Sequence, residues 1–324
     1  MFIEGRLTLG IFAPIEAYAG SIPTMRNHLE HIQRAERMGF AALWVRDVPL
    51  YDPSFGDVGQ IYDPWVYLGY VAGHTQRIAL ATGSIVLPLR HPLHVAKAAA
   101  SIDQLSGGRL VLGVASGDRA VEFPAFGLSA EARGDRFRDS FSMLRRLGEE
   151  SFPEIDNPYG LLRQVDLLPK PTARTLPLLV TGSSRQSMEW IATHSDGWVT
   201  YPRPLAMQSD VIAMWKRLVD DHAPDHFKPF VQSLYIDLLE DPHARPKPIH
   251  LGFCLGRNAF LDLLKNLETN GANHVILNLK YGRRPASEVL EEVGAEILPW
   301  FPGRETEDAI ITAASSEPPT RSRV

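Results

Sequence analysis

Residues 78–115, IALATGSIVLPLRHPLHVAKAAASIDQLSGGRLVLGVA, decide the fold. The stretch starts with a short apolar run, Ile78 to Ala81, followed by the polar, glycine-containing Thr82-Gly83-Ser84. From about His94 to Leu105, Val95, Ala98-Ala99, Ile102 and Leu105 recur at helical spacing, and Ser106-Gly107-Gly108 stops them. Arg109 to Ala115 is again an apolar run. Strand, helix and strand in this order form a βαβ unit, and strands without polar alternation belong to a parallel sheet covered by helices.

The same unit recurs on both sides. Upstream, Leu7 to Phe12 and Ala41 to Val45 read as strands. A helix is predicted from Thr24, as its cap, to Met38, with Gly39 ending it. Asp63-Pro64 opens a second helix, with Trp65, Leu68 and Val71-Ala72 as its apolar face. The first four strands start at about 7, 41, 78 and 109. No G-x-G-x-x-G follows the first, which favours a closed barrel over a dinucleotide-binding sheet. Downstream, strands are predicted at Leu178 to Thr181, Asp196 to Thr200, Phe230 to Leu238 and His274 to Leu279. Helices are predicted near 135–147, 185–193, 211–218, 258–267 and 287–298. The expectation is one α/β domain over residues 1–303, a (β/α)8 TIM barrel. An insertion after strand 4, about 118–176, would lie over the barrel mouth, and 304–324 would be a flexible polar tail.

Composition narrows the function classes. The chain has 324 residues, 44% hydrophobic and 22% charged, with a formal net charge of −5. That is ordinary globular usage, and it offers no electrostatic case for nucleic acid or an anionic membrane as partner. A single cysteine, Cys254, excludes an internal disulfide framework and a cysteine zinc site, and fits a reducing compartment. No signal peptide or transmembrane run is read, so the expectation is a soluble cytoplasmic protein. His28 with His31, and His91 with His94, lack a third ligand; no metal site is expected. G-x-S-x-G and the P-loop motif are both absent.

In a barrel of this kind chemistry sits at the C-terminal ends of the strands. Strand 2 ends in Arg46-Asp47, strand 3 in Thr82-Gly83-Ser84, strand 4 in Ala115-Ser116-Gly117-Asp118-Arg119, and strand 5 in Thr181-Gly182-Ser183-Ser184. Gly182-Ser183-Ser184 before a helix is an anion cradle or a simple helix cap. Gly83 admits close backbone approach to a flat ligand, or marks a bulge. Ser116 and Arg119 either face a polar ligand or form a turn. Arg46-Asp47 is a rim ion pair or a pair at the site.

The block from Ile78 to Gly127 closely resembles the bacterial luciferase-like flavin-dependent monooxygenases. The parts that carry the likeness are Arg90-His91-Pro92, then Ile102-Asp103-Gln104-Leu105-Ser106-Gly107-Gly108-Arg109, then Leu112-Gly113-Val114. A second similar block contains Pro169, Pro171, Gly182-Ser183-Ser184 and Asp196-Gly197-Trp198. The resemblance implies a barrel holding FMN, or in one branch the deazaflavin F420. It implies a cis peptide at Gly83-Ser84 under the flavin, the phosphate on Gly182-Ser183-Ser184, and Ser116 and Asp47 near the cofactor. It implies a two-component enzyme: a separate NAD(P)H-dependent flavin reductase supplies reduced FMN, with which O2 oxidises a small organic substrate. A homodimer is implied too. Val48 stands where true luciferases place a catalytic histidine, so light emission is not expected. His91 and Arg46 are the candidate proton or charge partners; Phe12, Trp44 and Trp198 are candidate walls of the ring site. Asn278, Lys280 and Arg283 are candidates to face an anionic substrate. Hydride transfer with F420, and a flavin-binding barrel without turnover, remain the alternatives.

Overall fold

The structure, a computed structural model, describes residues 1–303. The expected tail, 304–324, lies outside the described residues. Eight parallel strands close into a barrel: β1 Thr8–Phe12, β2 Ala42–Val45, β3 Ala79–Thr82, β4 Leu110–Ala115, β5 Leu178–Thr181, β6 Gly197–Thr200, β7 Phe230–Leu238 and β8 His274–Asn278. Each pairs with the next, and β8 returns to β1 with Thr8 opposite His274 and Ile11 opposite Leu277. One main helix follows each strand: α1 His28–Met38, α2 Pro64–Ala72, α3 Pro92–Ser106, α4 Arg133–Glu149, α5 Met188–His194, α6 Leu205–His222, α7 Arg257–Thr269 and α8 Ala286–Glu296. The architecture is the expected TIM barrel.

Alternate strand residues point into the barrel. Phe12, Ala42, Trp44, Ala81, Val111, Leu179, Val199, Val231 and Ile276 form its inner core, separate from the larger cluster between strands and helices. Trp44 is the inner layer's largest fully buried side chain, and glycine makes room around it. A Cβ on Gly10 would lie 2.4 Å from His274 Nε2 and 2.8 Å from Trp44 Nε1. The Trp44 indole N–H donates to His274 Nε2 at 3.0 Å, and Nδ1 meets Thr8 Oγ1 at 2.7 Å. Indole only donates, so Nε2 is the acceptor and the imidazole is neutral. Burial, with the N-terminal charge, lowers the His274 pKa to about 3.

The local signals explain most boundaries. The Asp63 carboxylate caps α2 by accepting from the N–H groups of Trp65 and Val66. Gly39 and Gly107 end α1 and α3 with left-handed backbone, which glycine adopts without Cβ strain. Four expectations need correction. The first helix starts at His28 rather than Thr24, because Thr24 binds the Glu16 carboxylate through its N–H and hydroxyl. Leu105 faces solvent, not the core, at 76% exposure. Neither Ser183 nor Ser184 caps α5; Ser187 does, accepting from Trp190 N–H.

The insertion is also misplaced in part. Only the segment between β4 and α4 sits at the mouth. Residues 150–172 run down the outer flank of α3, from Tyr159, whose carbonyl meets His91 Nε2, to Thr172, which donates to the Asp103 carboxylate. A short hairpin, Ile155–Asn157 with Gly160–Leu162, lies on this path. A second hairpin was not foreseen: Lys247–Ile249 with Gly252–Leu255, the latter parallel to the far half of β7.

Candidate active site

The strand ends converge on one cleft of about 380 Å³ at the C-terminal mouth of the barrel. Its lining includes Arg46, Asp47, Gly83, Ser84, Ser116, Gly182, Ser183 and Ser184, together with Phe55, Asp118, Arg119, Arg133, Thr181, Arg185 and Tyr201. A volume in this range suits a small organic ligand.

The floor is set by β3. The Gly83–Ser84 peptide is cis. A Cβ on Gly83 would lie 3.1 Å from the Phe12 ring and 3.2 Å from Trp44, so only glycine packs here without displacing them. Asp47 is buried beside it. Its carboxylate takes Arg90 Nε at 2.8 Å and Nη2 at 2.7 Å, and the Val86 N–H at 3.2 Å. Arg90 also reaches Asp63. Asp47 thus ties the loop after β3 to the end of β2 while forming part of the wall.

The turn after β5 is rich in donors. Gly182, Ser184 and Arg185 all have positive φ. The Gly182 N–H donates to the Val199 carbonyl at 2.8 Å and the Arg185 N–H to Ser183 Oγ at 3.4 Å, so among the described residues the Ser183 and Ser184 N–H groups are the ones left in this turn to cradle an anion. Ser184 Oγ donates to Thr181 O and accepts from Ser116 N–H, locking the turns after β4 and β5 together. Thr181 Oγ1 is buried without a hydrogen-bond partner and belongs to the cleft wall. The Arg185 and Arg133 side chains add positive charge at this end. Trp198 does not line the cleft. Its indole N–H holds the Gly182 carbonyl at 2.7 Å while its ring packs against Trp215 and Phe230. Trp44 is likewise inner core, below the cleft.

On the other side stands a paired cluster. The Asp57 carboxylate accepts from Tyr18 OH at 2.7 Å, Gly59 N–H at 2.9 Å, Arg46 Nη2 at 3.0 Å and Tyr235 OH at 3.4 Å. Burial opposes the charge on Asp57, but Arg46 and the donors outweigh it and hold its pKa below the ordinary value. Burial likewise works against the Arg46 charge, and Asp57 with Tyr235 and Tyr18 more than compensates. Burial, more than the neighbouring charges, pushes Tyr235 up to about 12. Lys280 is turned away onto the Gly20 carbonyl and the Tyr18 ring. Arg283 pairs with Asp237, and the Asn278 side chain accepts from Lys280 N–H. None of these three lines the cleft, contrary to the expectation that they face a substrate.

His91 is not brought to the cleft either. Its Nδ1 caps α3 by accepting from Leu93 N–H, and its Nε2 meets the Tyr159 carbonyl. Tyr201 was legible by the strand-end rule, since it follows β6 directly. Phe55 and Asp57 were not, because the loop after β2 carries no motif.

The profile of the luciferase-like monooxygenases matches residues 7–236. The chain belongs to this family. It is 29% identical over 227 residues to 4-hydroxyprotoasukamycin monooxygenase of Streptomyces nodosus subsp. asukaensis, a match covering 67% of the chain and 60% of that relative. The chain therefore spans less than two thirds of that enzyme's length. Two solved structures share the fold. An F420-dependent secondary alcohol dehydrogenase, bound to an F420–acetone adduct, superposes with a TM-score of 0.74 at 18% identity, covering 92% of this chain and 100% of that one. A riboflavin lyase with modified FMN and riboflavin superposes with a TM-score of 0.72 at 14% identity, covering 91% of each chain. Among the described residues no group of three His, Cys, Asp or Glu is placed to hold a metal, and no helix is long and apolar enough to cross a membrane.

Proposed function

We propose that this family member is a two-component monooxygenase that uses reduced FMN and O2 on a small organic substrate. The carrying observation is the pairing, in one cleft, of a donor-rich turn at 182–185 with a Cβ-free floor at Gly83. The first suits a phosphate and the second a flat ring. The unpartnered Thr181 hydroxyl lies between strand end and turn, where a polar group of the cofactor would satisfy it.

In this reading Gly182, Ser183 and Ser184 hold the phosphate, Gly83 and Ser84 support the ring, and Ser116 and Asp47 complete the wall. When bound, reduced FMN supplies the two electrons with which one oxygen atom of O2 enters the substrate and the other leaves as water. The chain's own part is to bind, orient and exclude water. Asp47 and Arg90 fix the loop that carries the floor. Phe55 and Tyr201 screen the mouth. Arg46 is held charged by Asp57, and is a group for orienting charge rather than for moving protons. A separate NAD(P)H-dependent flavin reductase would supply the reduced cofactor, and a homodimer is part of the proposal by family analogy.

The F420-dependent neighbour favours a second reading, hydride transfer with the deazaflavin. Titration with FMN, reduced FMN and F420 separates the two. Stoichiometric binding of reduced FMN, with O2 consumption coupled to a flavin reductase, is the expected outcome. Binding of F420 alone would replace the proposal with the second reading, and a flavin complex that never consumes O2 across a broad substrate panel would leave a barrel without turnover.

A further inference from the structure

One buried cation at the mouth, Arg119, forms no ion pair among the described residues. Arg119 is 7% exposed and belongs to the cleft wall. Its guanidinium lies 4.0 Å from the centre of the Phe55 ring, and its Nη2 donates to the Asp57 main-chain carbonyl. Nη1 is buried with no hydrogen-bond partner. Three acids stand near it, and none forms an ion pair with it among the described residues. The Asp57 carboxylate is committed to Arg46, Tyr18 and Gly59. Asp118 makes no ion pair among the described residues. Glu122, only 1% exposed, keeps its own Oε1 unpartnered. Burial lowers the Arg119 pKa despite these neighbours, so the charge is under-compensated. A buried guanidinium left this way is costly unless an acceptor arrives.

The surroundings state what that acceptor carries. Arg46 adds a second positive charge to the same stretch of wall, and Phe55 and Tyr201 are exposed rings beside it. Arg119 is anchored to the loop after β2, whereas the donor-rich turn follows β5, three strands round the barrel. The two anion-seeking features are therefore separate ends of one cleft.

We propose that the Arg119 end is a carboxylate subsite: Arg119, with Arg46 behind it, binds the carboxylate of the substrate, and Phe55 and Tyr201 pack on its carbon frame. This rests on the reading that the flavin phosphate takes the 182–185 end. A planar guanidinium matches a carboxylate with two parallel N–H donors, and charge-assisted bonds of this kind discriminate strongly against neutral isosteres.

Benzoate and its neutral isostere benzamide are the probes, titrated by calorimetry into the full chain with and without saturating FMN. Benzoate should bind about tenfold tighter than benzamide, with FMN present as well as absent. Arg119→Gln should weaken benzoate about tenfold and leave benzamide and FMN affinity unchanged, with Arg119→Lys recovering part of the loss. Equal binding of the two probes, no saturable benzoate binding, displacement of benzoate by FMN, or a parallel loss of FMN affinity in Arg119→Gln would each overturn the subsite. The wild-type contrast decides even if a variant fails to fold. If FMN does not bind at all, the flavin reading fails, while the benzoate contrast in the FMN-free protein still tests the subsite.

Discussion

Around Asp57, one side of the mouth has a carboxylate with four donors and a guanidinium held by it. Across the cleft, at the end of β5, the turn presents N–H groups with positive-φ geometry, a hydroxyl without a partner and the Arg185 side chain. Both sides are polar and both line or back the same space. In the first the Asp57 carboxylate is satisfied internally, and only Arg46 Nε and the neighbouring Arg119 Nη1 are left without partners; the second is complete only when something is bound. Polarity at a barrel mouth is therefore no guide to binding until hydrogen bonds are counted group by group.

Removing the centre of the satisfied side should have the largest effect. Asp57→Ala leaves Arg46, Tyr18 and Tyr235 without their acceptor and should cost about 3–5 kcal/mol of stability, read by urea unfolding. An unchanged midpoint would break the contrast, since that side would then be no scaffold. Next comes Glu122, whose pKa burial raises to about 7 against the opposing pull of Arg119. Between the ordinary carboxyl value and pH 7 the folded chain keeps this proton while the unfolded chain has released it. Stability from this group is thus full in acid and declines as pH rises through that window, by about 3 kcal/mol in all. Glu122→Gln should flatten the decline; an unaltered profile of melting temperature against pH would contradict it.

The open side should respond in the opposite manner. Ser183→Ala combined with Ser184→Ala should weaken FMN binding by about tenfold or more. Ser183→Ala alone should leave stability unchanged, because its hydroxyl is at the surface of the turn. Ser184→Ala should also cost about 1 kcal/mol of stability, since it removes a buried bridge between Thr181 and Ser116. Unchanged FMN affinity in the double variant would move the phosphate elsewhere. The smallest effect is expected at Arg283, whose ion pair with Asp237 is largely exposed on the arginine side. Arg283→Ala should change stability by at most about 1 kcal/mol and benzoate affinity not at all.

Much of this was legible from the chain alone. The eight strands were found within one or two residues because most are largely apolar runs between helical periods, the pattern a doubly covered sheet requires, while Phe230 to Leu238 alternates partly. Asp63-Pro64 and Gly39 marked helix ends because caps act through their immediate neighbours. Thr24 misled because its partner, Glu16, lies in a loop, and nothing local says that a side chain eight residues back will take both its donors. Leu105 misled because it sits at the end of α3, where burial depends on what lies beyond the helix.

By itself the sequence determined the barrel, the family and the strand ends that line the cleft. Periodicity, caps and turn residues are short-range properties, and the C-terminal strand ends of a closed parallel barrel meet at one place. Only the tertiary structure decided which of those polar groups are satisfied. Asp47 binds Arg90 across 43 positions, Asp57 gathers Tyr18 from 39 positions before it and Tyr235 from 178 after it, and His91 is drawn to Tyr159. Hydrogen bonding at a site depends on distances between residues far apart in sequence, and closing the barrel is what sets those distances.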